Sequence, residues 1–575
     1  MRSSFAPASL LLSCAVLLLA GTACTSASEN SNDAQSVSSD APAFEWFEYT
    51  GQDPVYEDIT AQPNEYLNPI LAGFRPDPSI ARAGENDYYI VNSSFAYFPG
   101  LPIFHSTDLV HWEQIGQAIH RPSQLDYSGL DVSEGIFAPT IRHHDGTFYI
   151  ITTHTGGGGN FLVTAQDPSG PWSDPVWLPF DGIDPSLYFA DDGRVFITNN
   201  GPPPGEPEYD GHRALWIQEY DPESQEMVGP REVLVDKGVD PAEEPIWIEA
   251  PHIFKKDGLY YLIAAEGGTG PQHSEVVLRS DSVRGPYEPY EDNPILTQRH
   301  LNPDRPRPVN TAGHADFTRT PNGEWWAVFL ATRPYENGFF NTGRETFLLP
   351  VDWTDDGWPV ILGRDETVPY VHDTPDLPQS EPPTIPTTGN FTVRTDFDAE
   401  SLASYWNFLR APQETWHRLE DGSLRIEPRS RSTSIGSSGQ PSFVGRRQQH
   451  AHATATTALR FMPEDDGEKA GLTAFQNTDH YYFLAVTKVD GTPTIQLEKA
   501  AGGNAEIIAS EELEHASDTP LYLRIEARGS EYDFSYGYDS DTWVALETGA
   551  DGTILSTAVA GGFVGAYFGL YAHRD

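Results

Sequence analysis

Arg75-Pro76-Asp77-Pro78-Ser79, followed by Asp87-Tyr88-Tyr89, is the first of five copies of one pattern: a small or acidic residue beside Pro or His, a turn, then an aromatic strand. The next two copies pair Phe137-Ala138-Pro139-Thr140 with Asp145-Gly146-Thr147-Phe148-Tyr149, and Ile183-Asp184-Pro185-Ser186 with Asp192-Gly193-Arg194-Val195-Phe196. The last two pair Glu249-Ala250-Pro251-His252 with Asp257-Gly258-Leu259-Tyr260-Tyr261, and Ala312-Gly313-His314-Ala315-Asp316 with Asn322-Gly323-Glu324-Trp325-Trp326. In four of the five, Asp-Gly or Asn-Gly supplies the positive φ angles of a tight hairpin, so each copy reads as strand, turn, strand. Repeated hairpins with no helical pattern between them predict an all-β fold, a five-bladed β-propeller.

If each copy opens on its innermost strand, Asp77, Asp184 and Glu249 come from three blades yet converge on one axial pocket. Three carboxylates aimed at one cavity repel one another and lose solvation, so folding alone gives little reason to place them there. Their convergence marks a functional site.

At 575 residues the chain is too long for a single core. An aromatic content of 12% with 50 Gly and 48 Pro favours a turn-rich β protein over a helical one. The net charge of -49 argues against nucleic acid or an anionic membrane surface as partner. It reads as a solvated acidic shell or as adaptation to a salty medium. Arg2, the apolar run Leu10 to Ala20 and Gly21-Thr22-Ala23 before Cys24 form an export signal, too short to span a bilayer. Residues 1–24 are therefore expected to be a signal peptide of lipoprotein type, with a lipid anchor at Cys24 as the one membrane contact; an ordinary signal peptide of a secreted protein is the alternative. Residues 25–65 read as a tether and lead-in. The two cysteines, Cys14 and Cys24, both lie in the leader, which excludes a disulfide or Cys-based zinc site in the mature chain.

Residues 66–372 carry the repeats, and the Pro- and Thr-rich stretch 373–389 marks a linker. Beyond it, in 390–575, alternating strands such as Phe391 to Phe397, Leu521 to Glu526 and Tyr532 to Tyr536 predict a β-sandwich. Phe443 to His450 reads as an irregular polar loop within it, either a surface turn or a lid over the propeller.

Two carboxyl groups flanking a glycosidic bond suffice to hydrolyse it, and a third can tune the first. The stretches Asn68 to Ile80, Ser93 to Leu130, Gly182 to Ser186, Glu249 to Gly270 and Gly343-Arg344-Glu345-Thr346-Phe347, in that order, resemble glycoside hydrolase family 43, which includes β-xylosidases and α-L-arabinofuranosidases. The resemblance extends into the second domain through Gly561-Gly562-Phe563-Val564-Gly565-Ala566-Tyr567. It implies an exo-acting, inverting hydrolase that releases pentose from xylan- or arabinan-type oligo- and polysaccharides. Asp77 would be general base, Glu249 general acid, and Asp184 the carboxylate that orients Glu249 and raises its pKa. A retaining fructosidase-like propeller and a non-catalytic carbohydrate-binding protein are the alternatives. Phe95, Phe137, His273 and Arg344 are the candidate substrate-binding residues. Phe137 stands where many relatives carry Trp, and Arg75 where a neutral side chain is common. The chemistry needs no cofactor; the resemblance also implies that His314 helps hold a structural calcium in the channel, with a hydrogen-bonded histidine as the alternative reading.

Overall fold

The computed structural model describes residues 37–514 and 519–575, so the leader and its Cys24 anchor lie outside the described residues. Four blades have four principal strands each, beginning with the innermost strands Ser79–Ala83, Thr140–His144, Ile183–Phe189 and Glu249–Lys256. A fifth, of three strands, begins with Asn310–Arg319. Glu65–Leu67 pairs with Val371–Asp373, and Leu71 bridges to Thr346, so the two ends of the propeller meet.

The inner hairpins form as their turn residues dictate. Asp145-Gly146 and Asp257-Gly258 have positive φ at both positions, the signature of a type I′ turn. At Asp192-Gly193 and Asn322-Gly323 only the Gly is left-handed; the carbonyls of Ala190 and Thr320 accept from the Gly N–H while their own N–H groups donate to the carbonyls of Arg194 and Glu324, the geometry of a longer loop.

One side chain from each innermost strand enters a shared hydrogen-bonded network that links all five blades. Ser79 Oγ donates to Asp316 Oδ2 (2.6 Å), which also accepts from Arg142 Nη1 (2.7 Å). His252 Nδ1 lies 3.0 Å from both Ser186 Oγ and Arg142 Nη2. Burial opposes the Asp316 charge, but Arg142, His252 and the Ser79 hydroxyl outweigh it and hold the carboxyl down to about 2.

The C-terminal region is a sandwich of two eight-stranded antiparallel sheets around a core that includes Phe47, Trp406, Trp416, Leu484 and Phe568. Neither sheet respects the order of the chain. Ala43–Gly51, expected to belong to a tether and lead-in, is a central strand of the first sheet, paired with Phe391–Thr395 on one side and His452–Arg460 on the other. Its alternating Phe44, Phe47 and Tyr49 are fully buried in that sandwich core. Tyr97–Phe98, part of the aromatic loop after the second strand of blade 1, forms the edge of the second sheet against Asn407–Leu409.

Most of Phe443 to His450 is strand and not loop; only Gln448 to His450 has no regular structure. Ser442–Arg447 is a buried strand between Asn407–Leu409 and Tyr567–Arg574. Arg447 Nε donates to Phe74 O (2.7 Å), and Gln449 N to Tyr49 Oη (2.8 Å). Arg447 and, through Nε2 to Ala72 O, Gln449 are spent on the contact between the two domains, and this segment does not line the channel mouth. Among the described residues no helix is long and apolar enough to cross a membrane.

Candidate active site

The innermost strands present their functional side chains through distorted backbone. Asp77, Asp184, Ala250 and His314 have φ of 53°, 52°, 50° and 56°, left-handed values that cost a non-glycine residue on the order of 1 kcal/mol each. Bulges accompany three of the four: pairing slips between Ile183 and Ser186, between Glu249 and His252, and between Gly313 and Asp316. A bulge bends a strand and re-aims a side chain that regular alternation would send elsewhere. At Gly182, φ 106°, an added Cβ would sit 1.8 Å from Asn200 O, so the entry to Asp184 tolerates no side chain.

Asp77, Asp184 and Glu249 do meet in one cavity of about 280 Å³, whose wall also includes Phe95, Phe137, Trp247, His314, Arg344 and Phe563. Asp77 accepts from Ser93 Oγ (2.5 Å) and from Arg344 Nη1 (2.6 Å). Its loop is fixed from behind by Asn92 Nδ2, which donates to the carbonyls of Arg75 and Pro76. Glu249 is buried, and burial followed by the nearby Asp77 charge raises it to about 7, with Arg344 and Arg213 acting against them. Asp184 is pushed well above the usual carboxylate range by burial, then by Glu249 and Asp77, while the Ala250 amide and Arg344 oppose the shift. Asp184 and Glu249 repel each other as anions, so the pair shares its ionisation, with burial and the Asp77 charge resisting both. This is a site with one carboxyl in a short ion pair and two whose ionisation the surroundings resist, the separation of roles that acid–base chemistry needs.

Three phenylalanines form the apolar side. Phe95 lies 5.1 Å from Phe137 and 6.0 Å from Phe563, the latter stacked at 22°. The Arg344 guanidinium lies 5.8 Å from both Phe95 and Phe563. Phe563 comes from the sandwich and remains 40% exposed; its N–H donates to Ser133 Oγ (2.9 Å) and its carbonyl accepts from Arg344 Nη2 (3.4 Å). Gly562, φ 72°, approaches so closely that a Cβ there would be 2.2 Å from Ser133 Oγ. The sandwich therefore reaches the pocket through Phe563, not through Phe443 to His450.

His273 is not on the cavity wall. It is buried behind Gly313, where an added Cβ would touch its ring at 2.8 Å, and its Nδ1 is 2.8 Å from Thr311 O. Arg75 points neither at Asp77 nor into bulk water; it is buried over Phe104. Trp247 and Phe563 were not singled out from sequence. Trp247 stands two residues before Glu249, with Arg213 stacked over its ring at 3.9 Å, and an aromatic so close to a repeat carboxylate was the available signal. Phe563 had its own signal in the Gly561-Gly562 pair that projects it.

His314 lines the cavity with Nδ1 3.9 Å from Asp77 Oδ1, and burial lowers its imidazole to about 4, leaving it neutral. Among the described residues no group of three or more His, Cys, Asp or Glu is arranged to hold a metal ion. His314 Nδ1 is buried without a hydrogen-bond partner, which fits an ion in the channel; if calcium is held there, His314 would be its protein ligand and its remaining ligands would be oxygens such as waters, a structural and not a chemical role.

A five-bladed propeller whose channel mouth gathers three carboxyls, an arginine and a wall of aromatic rings defines a carbohydrate-cleaving enzyme. The chain belongs to glycosyl hydrolases family 43, whose model matches residues 66–359, while residues 394–575 match the beta xylosidase C-terminal concanavalin A-like domain. It is 40% identical over 514 residues to a xylosidase/arabinosidase of Butyrivibrio fibrisolvens, spanning 88% of this chain and 96% of that one. It is 38% identical to a non-reducing end alpha-L-arabinofuranosidase of Bacteroides ovatus over 88% of this chain and 91% of that relative. Among solved structures, a GH43_12 protein retrieved from capybara gut metagenome superposes with a TM-score of 0.87 at 40% identity, covering 93% of this chain and all of that one. A xylan beta-1,4-xylosidase from Bacillus halodurans gives 0.78 at 36% identity over 88% and 97%. The protein is a glycosidase.

Proposed function

We propose that the enzyme is an exo-acting, inverting β-xylosidase, with α-L-arabinofuranosidase activity as the next candidate. The observation that carries this is the single cavity of about 280 Å³ in which Asp77, Asp184 and Glu249 face one another under Phe563. A pocket of that size, capped by a ring from the second domain, suits one terminal pentose better than a threaded chain. The names of the relatives, xylosidase and arabinofuranosidase, support the same substrate class.

In this reading Glu249, protonated up to about pH 7, donates its proton to the departing glycosidic oxygen. Asp77, held in orientation by Ser93 and Arg344, takes a proton from the water that attacks the anomeric carbon from the opposite face. Asp184 orients Glu249, and Phe95, Phe137 and Phe563 pack on the sugar ring. Export and a Cys24 lipid anchor, read from residues 1–24, would place the enzyme against extracellular polysaccharide; Cys24→Ser should move it from the membrane fraction to the soluble fraction.

The test is hydrolysis of aryl β-D-xylopyranoside against aryl α-L-arabinofuranoside, with proton NMR of the first sugar released. Faster xylose release and an anomer opposite to that of the substrate are expected. Retained configuration would make Asp77 a nucleophile and support a retaining, fructosidase-like mechanism instead; activity on neither glycoside would end the pentosidase reading.

A further inference from the structure

A second cavity, of about 200 Å³, lies where the entry to blade 1, the linker and the sandwich meet, and its wall includes Arg75, Gln114, Tyr405, Arg446 and Gln449. Arg75 and Arg446 are only 6% and 2% exposed. Arg75 rests on the face of Phe104 at 5.0 Å with Nη1 unpartnered. Arg446 lies over Tyr405 at 4.7 Å and Tyr49 at 4.9 Å. Its Nη2 donates to Gln449 Oε1 (3.2 Å), while Nε and Nη1 find no partner.

The same domain boundary shows two ways in which a buried arginine is satisfied: Arg447 donates to neutral oxygens, Phe74 O (2.7 Å) and Asn407 Oδ1 (2.6 Å), and Arg333 to carboxylates. Arg333 donates from Nε and Nη2 to the two oxygens of Glu345 (2.7 and 2.9 Å) and from Nη1 to Asp53 (2.9 Å). No carboxylate pairs with Arg75 or Arg446 among the described residues. Glu113, on the same wall, is exposed and bonded to neither. Burial, joined by Arg447 and Arg446, depresses Arg75 well below the usual guanidinium range. A buried cation is costly unless a counter-charge or a full set of acceptors meets it, and Arg75 Nη1 and Arg446 Nε and Nη1 have neither among the described residues.

We propose that this cavity binds a small oxyanion, which pairs with Arg75 from the propeller and Arg446 from the sandwich. Guanidinium forks fixed over aromatic rings match the paired oxygens of a carboxylate, sulfate or phosphate. The amides of Gln114 and Gln449 are engaged with the carbonyls of Ser404 and Ala72, which leaves the two guanidinium groups as the donors of the cavity. An anion there would tie the two domains together and fix the linker that closes the cavity at Thr384 to Thr387. The oxyanion has two sources, a free inorganic ion or the carboxylate of a sugar acid on a polysaccharide branch.

Isothermal titration calorimetry of the whole protein in low-salt Tris buffer, with sodium sulfate, sodium glucuronate and sodium chloride in turn, tests this. Saturable binding of sulfate at one site, with Kd about 1 mM or tighter, is expected, and binding weaker by about tenfold or more in Arg446→Met and in Arg75→Met. Glucuronate binding as tightly as sulfate identifies the sugar-acid source; sulfate alone identifies a free ion. Each variant should also melt above wild type in low salt, because an unpaired buried charge is replaced by an apolar chain, and added sulfate should close that gap; this comparison needs only one of the two variants to fold. No saturable heat with sulfate or glucuronate, equal binding of chloride, or wild-type binding by the variants would overturn the proposal.

Discussion

Two groups of side chains sit a few residues apart on the same innermost strands and have opposite characters. Asp77, Asp184 and Glu249 crowd three carboxyls around one cavity, and burial resists the ionisation of the latter two. Ser79, Arg142, Ser186, His252 and Asp316 form a network in which the one carboxylate is paired with arginine and held at about 2. The repeat is the same, and the difference is the ratio of charges: Asp316 has Arg142 to itself, whereas the arginine on the cavity wall, Arg344, is bonded to Asp77 and leaves Asp184 and Glu249 without an ion pair among the described residues. The paired group fastens the blades; the crowded group carries chemical potential that a substrate can use. Function here sits on positions that stability would have filled differently.

The largest expected effect would break this division on the catalytic side. Asp77→Asn and Glu249→Gln should each lower kcat about a hundred- to ten-thousandfold. An aryl glycoside with a good leaving group should partly rescue Glu249→Gln and not Asp77→Asn. A variant that keeps more than about half the wild-type rate removes its residue from the mechanism, given that magnitude.

On the other side, Arg142→Met leaves Asp316 buried and unpaired and should cost about 3–5 kcal/mol in urea unfolding. The folded fraction should turn over within a few-fold of wild type. Loss of turnover as deep as that of Glu249→Gln would mean the two groups are not separable. Because Asp316 is depressed from 3.8 to about 2, its contribution is present above about pH 4 and is lost as pH falls toward 2. The acid limb of stability should therefore flatten in Asp316→Asn.

Glu249 has the opposite sign. Its folded value of about 7 lies above the ordinary 4.5, so its contribution to stability is present below about pH 4.5 and is lost as pH rises to about 7. If Glu249 is the general acid proposed above, activity should fall over the upper part of the same window, as it loses its proton. At pH 8 Glu249→Gln should be more stable than wild type by on the order of 1–3 kcal/mol, visible as a higher urea midpoint; an unchanged midpoint would remove the strain argument. The smallest effect sharpens the role of the second domain. Phe563→Ala, and Gly562→Ala through displacement of the same ring, should each reduce kcat/KM about tenfold, with melting temperature little changed in Phe563→Ala. Wild-type kcat/KM in both would make the ring a bystander.

By itself the sequence determined what depends on local chemistry. Asp-Gly and Asn-Gly turns between aromatic strands specify hairpins, and five in succession leave few architectures; the carboxyls at Asp77, Asp184 and Glu249 stood out because each opens a copy of that repeat. What only the tertiary structure decided depends on which surfaces meet. Ala43–Gly51 alternates like any half-buried strand, and nothing local says that its partners, His452–Arg460 and Phe391–Thr395, lie more than 300 residues away. Phe443 to His450 looks like a loop because it is polar, yet Arg447 and Gln449 spend their donors on the backbone carbonyls of Phe74 and Ala72 in the other domain. His273 shares its residue type with pocket histidines, and only the Gly313 backbone packed against it keeps it from the cavity. Phe563 enters the site because two left-handed glycines let the chain lie against Ser133. Turn preference and strand period are encoded within a few residues, whereas the partners of a buried charge or an exposed ring are chosen by packing across the whole chain.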